Sequence, residues 1–210
     1  LASAPFRGYI PPMTLIRLLA PALLILAALP AAAEKLSLQV LSDYLNGIKT
    51  AETSFTQFNS DGSTSAGTLY IRRPNRMRFE YAPPEQTLVL ASAGQVAIFD
   101  GKSNQPPEQY PLKRTPLNLI LAAKVDLAQA KMVIAHGETD GMTTVTAQDP
   151  KNPEYGTITL FFTPEPQLVQ WIVTDEAGSQ TRVVLDSLTT GKTYPPSLFS
   201  ITVETGKRTD

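Results

Sequence analysis

From about residue 50 onward the chain is a run of short apolar–polar alternations, broken every few residues by a tight-turn signal. Side chains alternate faces along a strand, so this period of two predicts strands rather than helices. They fall at 53–59, 66–73, 76–81, 87–91, 95–100, 108–112, 131–136, 142–148, 156–163, 167–175, 180–187 and 198–203. Between them stand Asp61-Gly62, Pro74-Asn75, Pro83-Pro84, Gly94, Asp140-Gly141, Asn152-Pro153, Pro164-Glu165-Pro166 and Gly178. Such turns join antiparallel neighbours, because parallel strands need long crossovers. The fold class is therefore mainly β, an antiparallel meander of about 11–12 strands curled into an unclosed barrel.

Two helical patterns interrupt the rhythm. Leu38, Leu41, Leu45 and Ile48 recur every three or four residues, with Ser37 placed to cap the first turn and Gly47 near the end. In "TPLNLILAAK", Thr115 is a good N-cap, Pro116 suits the first helical position, and Leu117, Ile120 and Leu121 form a stripe. Residues 125–130 are expected to add a further helical turn. Two helices cannot form a layer under the whole sheet. Their natural place is across the mouth of the curve, as an α-helical lid over a hydrophobic cavity.

The N-terminal region predicts export. After Met13 come Arg17, an apolar run from Leu18 to Leu29, and Ala31-Ala32-Ala33, the pattern of a secretory signal peptide cut after Ala33. The apolar run is well short of the ~20 residues that span a bilayer. Residues 1–33 are thus read as the signal, with 1–12 as an over-extended start, and 34–210 as a single domain without internal repeats. The chain has no cysteine, which excludes disulfides, thiolate metal sites and a lipid-modified N-terminal cysteine. Its formal charge of −1 gives no reason to expect nucleic acid as a partner.

Residues 70–81, "YIRRPNRMRFEY", carry four arginines among alternating apolar residues. Arg72, Arg76 and Arg78 share faces with polar neighbours, where a solvated, charge-balanced surface is expected. Arg73 instead shares a face with Leu69 and Ile71, and a charge on an apolar face needs a partner.

Catalytic chemistry finds little support. His136 is the only histidine, and no nucleophile elbow, zinc-binding helix motif or phosphate-binding loop occurs. The acids are scattered singly through turns, so neither a metal site nor a cofactor is expected, and no catalytic residue is assigned. What remains is the apolar interior. Phe55, Leu69, Ile71, Met77, Phe79 and Tyr81 fill an ordinary core or line a ligand pocket, and a lid across the mouth favours the pocket.

The quoted arginine run extends to "GTLYIRRPNRMRFEYAPPEQTLV" (67–89); with "SFTQF" (54–58) and "TPLNLIL" (115–121), it resembles the outer-membrane lipoprotein carrier family, LolA. The resemblance implies an unclosed antiparallel barrel lidded by helices. It also implies a periplasmic chaperone, not an enzyme, that takes acylated lipoproteins from an ABC-type transporter of the inner membrane to an outer-membrane acceptor. Arg73 falls on the family's arginine before proline, a latch bonded to backbone carbonyls of the lid. The acyl-chain cavity would be lined by Leu41, Leu45, Phe55, Leu69, Ile71, Met77, Phe79, Tyr81, Leu117, Ile120 and Leu121. Where the family often has aspartate-glycine, this chain has Ala93-Gly94, and the family's C-terminal F-x-F-x-x-P-x-G run is here "FSITVETG" (199–206). A monomer is expected. The alternative is a periplasmic carrier of another lipid or hydrophobic ligand on the same fold, because an apolar pocket does not name its ligand.

The alanine site predicts that the exported protein begins at Glu34. N-terminal sequencing of periplasmic material should read Glu-Lys-Leu-Ser, and a product retaining Leu18 to Leu29 would contradict it.

Overall fold

The computed structural model describes residues 34–209 apart from 104, 129 and 130, so the expected export signal lies outside the described residues. The first helix, α1 (Leu38–Gly47), starts as its sequence requires, with the Ser37 hydroxyl accepting a hydrogen bond from the Val40 amide at 3.3 Å. Leu41 and Leu45 are buried, and the chain turns at Ile48 into the sheet.

The strands are β1 (Thr50–Phe58), β2 (Thr64–Arg72), β3 (Arg76–Tyr81), β4 (Leu88–Ser92), β5 (Gln95–Phe99), β6 (Glu108–Pro111), β7 (Val133–Thr139), β8 (Met142–Gln148), β9 (Thr157–Phe162), β10 (Leu168–Thr174) and β11 (Gln180–Leu185). A two-residue β12 (Thr189–Thr190), which period two cannot reveal, pairs with β1. All form one antiparallel sheet in the order β6-β5-β4-β3-β2-β1-β11-β10-β9-β8-β7. The short helix α2 (Leu117–Leu121) lies between β6 and β7 in the chain.

This sheet is strongly curled. In the strand order β3 and β10 are four steps apart, which a flat sheet would convert to about 19 Å at ~4.8 Å per step. Yet the Phe79 and Trp171 rings, one on each strand, have centroids 6.3 Å apart. One apolar core therefore takes inward residues from both halves, including Leu69, Phe79, Val145, Leu160 and Trp171. Gly67 permits part of the bend: a Cβ there would lie 2.0 Å from the Glu80 carbonyl oxygen. The barrel stays open, with β6 and β7 as its edges. Pro111 ends one edge strand, and a bulge between Val133 and Ala135 interrupts the other. His136 lies within β7 and donates from Nε2 to the Leu36 carbonyl at 2.9 Å, tying down the segment before α1.

Four expectations are corrected. Residues 198–203 are not a strand; they end a 3₁₀ turn (Pro196–Phe199) and begin a third helix, α3 (Ile201–Thr209). The β-branched alternation Ile201, Val203 suggested a strand, but Ser200 caps the helix through the Val203 amide at 3.3 Å. Glu204 near its start and Lys207 and Arg208 near its end suit the helix dipole. Second, Arg78 is not on a solvated face and is only 7% exposed. The C-terminal segment covers the outer face of β4 and β5, burying Leu88, Leu90, Ala97, Phe99 and Phe199 in a second small core. Arg78 lies under that cover, paired with Glu204 at 3.3 Å and Glu80 at 2.6 Å. Third, Thr115 does not cap α2; its hydroxyl donates to the Leu112 carbonyl at 2.9 Å and closes the preceding 3₁₀ turn. Fourth, 125–128 form a turn rather than a helix, because the Val125 and Leu127 amides donate to side chains of α1. Residues 129 and 130 lie outside the described residues.

Burial pushes the Glu204 carboxyl up, but Arg78 and Lys207 outweigh burial and hold it below the ordinary range. A carboxyl depressed in the folded state contributes stability above its unfolded pKa and loses it as pH falls through the folded one. Glu204→Gln should therefore cost about 1.5–3 kcal/mol in urea unfolding at pH 7, because the buried Arg78 keeps only one carboxylate, Glu80, beside the Leu198 carbonyl. The difference from the parent protein should shrink below about pH 4, as the parent's own carboxylate is titrated.

Candidate functional site

The inner face of the barrel is closed by α1 and α2. Leu41 and Leu45 of α1, and Ile120 and Leu121 of α2, are buried in the same core as Leu69, Ile71, Met77 and Phe79. Phe55 is buried with them, and Tyr81 and Leu117 are half-buried against that core, so the structure brings together all eleven cavity residues expected from the sequence. Phe55 meets Phe79 and Tyr81 edge-on at 5.2 and 5.1 Å between centroids. The Tyr81 hydroxyl donates to Gln57 Oε1 at 2.7 Å, and burial pushes this phenol up to about 12.

The interior is filled by side chains. Beneath the lid remains a void of about 20 Å³, room for about one water molecule. The expected cavity is thus present only as this remnant in the closed arrangement. Leu168 and Leu188 line it and also line an open groove of about 650 Å³ outside. A second open groove, of about 590 Å³, runs beside the start of α2, with Val89, Val96, Leu117 and Val173 along it. Among the described residues no cluster of His, Asp or Glu could hold a metal ion.

Arg73 follows directly on β2 and holds the lid from below. Its Nη1 donates to the Leu45 carbonyl, near the end of α1. Its Nη2 donates to the Ala122 carbonyl just after α2, at 2.6 Å, and to Asn46 Oδ1 at 3.2 Å. The carboxyl ends of two helices carry partial negative charge, and neither helix has a basic residue in its own last turn. Arg73 supplies the cation from the barrel. All three acceptors are uncharged, and its Nε is buried without a partner. Burial pulls Arg73 below the usual arginine range, though a guanidinium stays protonated throughout the physiological range. The Asn75 amide adds a bond to the Leu121 carbonyl at 2.9 Å, and the Tyr44 hydroxyl accepts one from the Leu168 amide at 3.0 Å.

Several members of this site escape a reading by periodicity. Trp171, 1% exposed, and Leu168 both point inward although three positions apart, because the pairing of β10 with β9 shifts register between Leu168 and Gln170. Leu188 lies just outside the regular elements, between β11 and β12. The polar ties from Asn46 and Ser42 have no apolar pattern at all; the cue was only that two polar residues sit one turn apart on an amphipathic helix.

Comparison with known proteins locates the chain among relatives. Residues 46–202 match the family described as outer membrane lipoprotein carrier protein LolA. An outer-membrane lipoprotein carrier protein of Methylococcus capsulatus is 28% identical over 79% of this chain and 83% of its own. One from Chromobacterium violaceum is 24% identical over 84% of this chain and 88% of its own. The crystal structure of a LolA superfamily protein from Nitrosomonas europaea covers 79% of this chain and 98% of its own, with 10% identity and a TM-score of 0.39.

The buried phenol of Tyr81 gives a measurable alkaline signature. A tyrosine raised in the folded state contributes stability fully below its unfolded pKa of 10 and loses it as pH climbs toward about 12. Tyr81→Phe should therefore lose less stability than the parent between these values. Tyr194, also pushed up to about 12, leaves part of the alkaline loss in place. Urea midpoints across that pH range measure the difference.

Proposed function

The chain belongs to the outer membrane lipoprotein carrier protein family, LolA, and from that membership we propose that it carries acylated lipoproteins across the periplasm. In this reading it accepts them from an ABC-type transporter of the inner membrane and shields their acyl chains. It then passes them to an outer-membrane acceptor, hydrolysing nothing. Cleavage after Ala33 would deliver the working protein to that compartment. The observation that carries the proposal is an apolar interior closed by two helices and tied shut by one arginine through uncharged acceptors.

Each methylene removed from water is worth about 0.8 kcal/mol, so a long acyl chain costs on the order of 10 kcal/mol when exposed. The filled interior cannot take such a chain while closed, so loading must displace α1, α2 or both. Displacement breaks the bonds of Arg73, and charge-assisted hydrogen bonds contribute roughly 1.5–3 kcal/mol each. The empty, closed state therefore competes with cargo. Release to an acceptor recovers part of the cost of opening, which makes a tight binder able to let go.

Arg73→Leu should load purified lipoprotein at least as well as the parent but transfer it to acceptor membranes more slowly, by roughly tenfold or more for a loss of about 1.5 kcal/mol. Arg73→Lys should be an incomplete substitute, because a point charge lacks the fork that reaches two carbonyls. Arg72→Leu, whose side chain reaches the Tyr194 carbonyl at 3.5 Å on the other face, should transfer normally. Equal release rates for the parent and Arg73→Leu would end the latch. Mass spectrometry of periplasmic protein that co-purifies with free lipid and no acylated polypeptide would favour another lipid as the ligand.

A further inference from the structure

We infer that Asn46 and Ser42 are positioning residues that join α1 and the segment 122–127 into one lid body, which moves against the barrel as a unit. The side-chain amide of Asn46 engages one residue of that segment twice. Its Nδ2 donates to the Val125 carbonyl at 2.7 Å, and its Oδ1 accepts from the Val125 amide at 2.9 Å. This reproduces the reciprocal two-bond pairing of backbone units in an antiparallel ladder. One helical turn earlier, Ser42 Oγ accepts from the Leu127 amide at 2.9 Å while donating to the Leu38 carbonyl at 2.7 Å. Ser42 is 2% exposed, and the Val125 and Leu127 side chains are buried in the core with Leu41 and Leu45.

These bonds decide which seam can open. Separating α1 from 122–127 would strand two backbone amides and a carbonyl in an apolar setting, where unpaired polar groups are costly. Asn46 Oδ1 also accepts from Arg73 Nη2 at 3.2 Å, so losing Arg73 leaves the Asn46 pairing with Val125 intact. Among the described residues, Arg73, Asn75 and Leu168 tie the lid to the barrel, and His136 and Thr143 hold Leu36 just before α1. Under the carrier reading, on which its functional meaning rests, cargo enters beneath both helices together and not between them.

Native-state hydrogen exchange tests the lid body without any ligand. Residues that open together share one protection, so the Val125 and Leu127 amides should match the Leu45 amide of α1 to within about threefold. In Asn46→Ala, Val125 and Leu127 should lose about tenfold or more protection relative to Leu45, while Val145 in β8 keeps its own. Asn46→Asp, which retains the acceptor, should restore the Val125 amide. A smaller loss in Asn46→Ala overturns the inference, as does a mismatch beyond threefold in the parent protein. If Asn46→Ala does not fold, Ser42→Ala should expose Leu127 by the same tenfold, and a smaller effect overturns the inference equally.

A second experiment uses the chain's lack of cysteine. In Ser42→Cys combined with Leu127→Cys, one disulfide locks the seam, and pyrene-labelled palmitate serves as the probe. Oxidised and reduced forms should bind it within about twofold of each other, as expected when the locked seam is not the one that opens. Binding lost on oxidation and regained on reduction overturns the single lid. No binding by either form or by the parent counts against the carrier reading, and the exchange experiment then decides the lid by itself.

Discussion

A half-buried guanidinium among uncharged acceptors is the interaction on which the closed structure depends. Arg73 is stable where it is only while the carbonyls of Leu45 and Ala122 remain in reach. Those carbonyls are in place only because α1 and α2 have sunk their apolar faces into the barrel. The two conditions support each other, so closure is cooperative. Neutral acceptors at helix ends make the bond conditional on the lid.

The contrast with Arg78, five residues along the same hairpin, makes the point. Arg78 faces outward and meets two carboxylates, Glu80 and Glu204, beneath a C-terminal helix that packs onto Phe99 and Leu90. Breaking a buried ion pair leaves a charge without compensation, so this contact favours a permanent seam. One β-hairpin thus presents an arginine to each side of the sheet. The inner one is bonded to dipoles and the outer one to full charges.

Much of this was legible in the sequence, and what escaped it has physical causes. Period two gave the strands from 53 to 187, and the apolar spacing and Ser37 gave α1. It also singled out Arg73, because a charge in register with Leu69 and Ile71 needs a partner. The same rule misjudged Arg78, since alternation assigns a residue to a face but cannot say what covers that face. It took 198–203 for a strand because Ile201 and Val203 alternate, although Ser200 and the charge order from Glu204 to Arg208 favour a helix. Trp171 and Leu168 were missed at a register shift, the one feature that defeats a period of two. The roles of Asn46 and Ser42 depend on backbone groups some eighty positions away, which no local pattern encodes.

The open edge of the barrel completes the physical picture. A closed barrel has no edge, so a helix leaving its rim is rooted in strands bonded on both sides. Here the chain reaches α2 from β6, an edge strand only four residues long with one neighbour, through a single 3₁₀ turn at Leu112–Arg114. On the other side α1 runs into β1, which pairs with β2 along its whole length and with β11 over its second half. The lid is therefore rooted unequally, firmly at α1 and loosely at α2. Motion about such roots would swing the α2 end outward on its edge strand while α1 pivots near Ile48 and Lys49. The Arg73 backbone amide is bonded to Lys49 at 2.9 Å, so the latch stands beside the pivot. Close to the pivot the Leu45 carbonyl would move little, so the bond to the Ala122 carbonyl at the α2 end is the first that such a rotation would break.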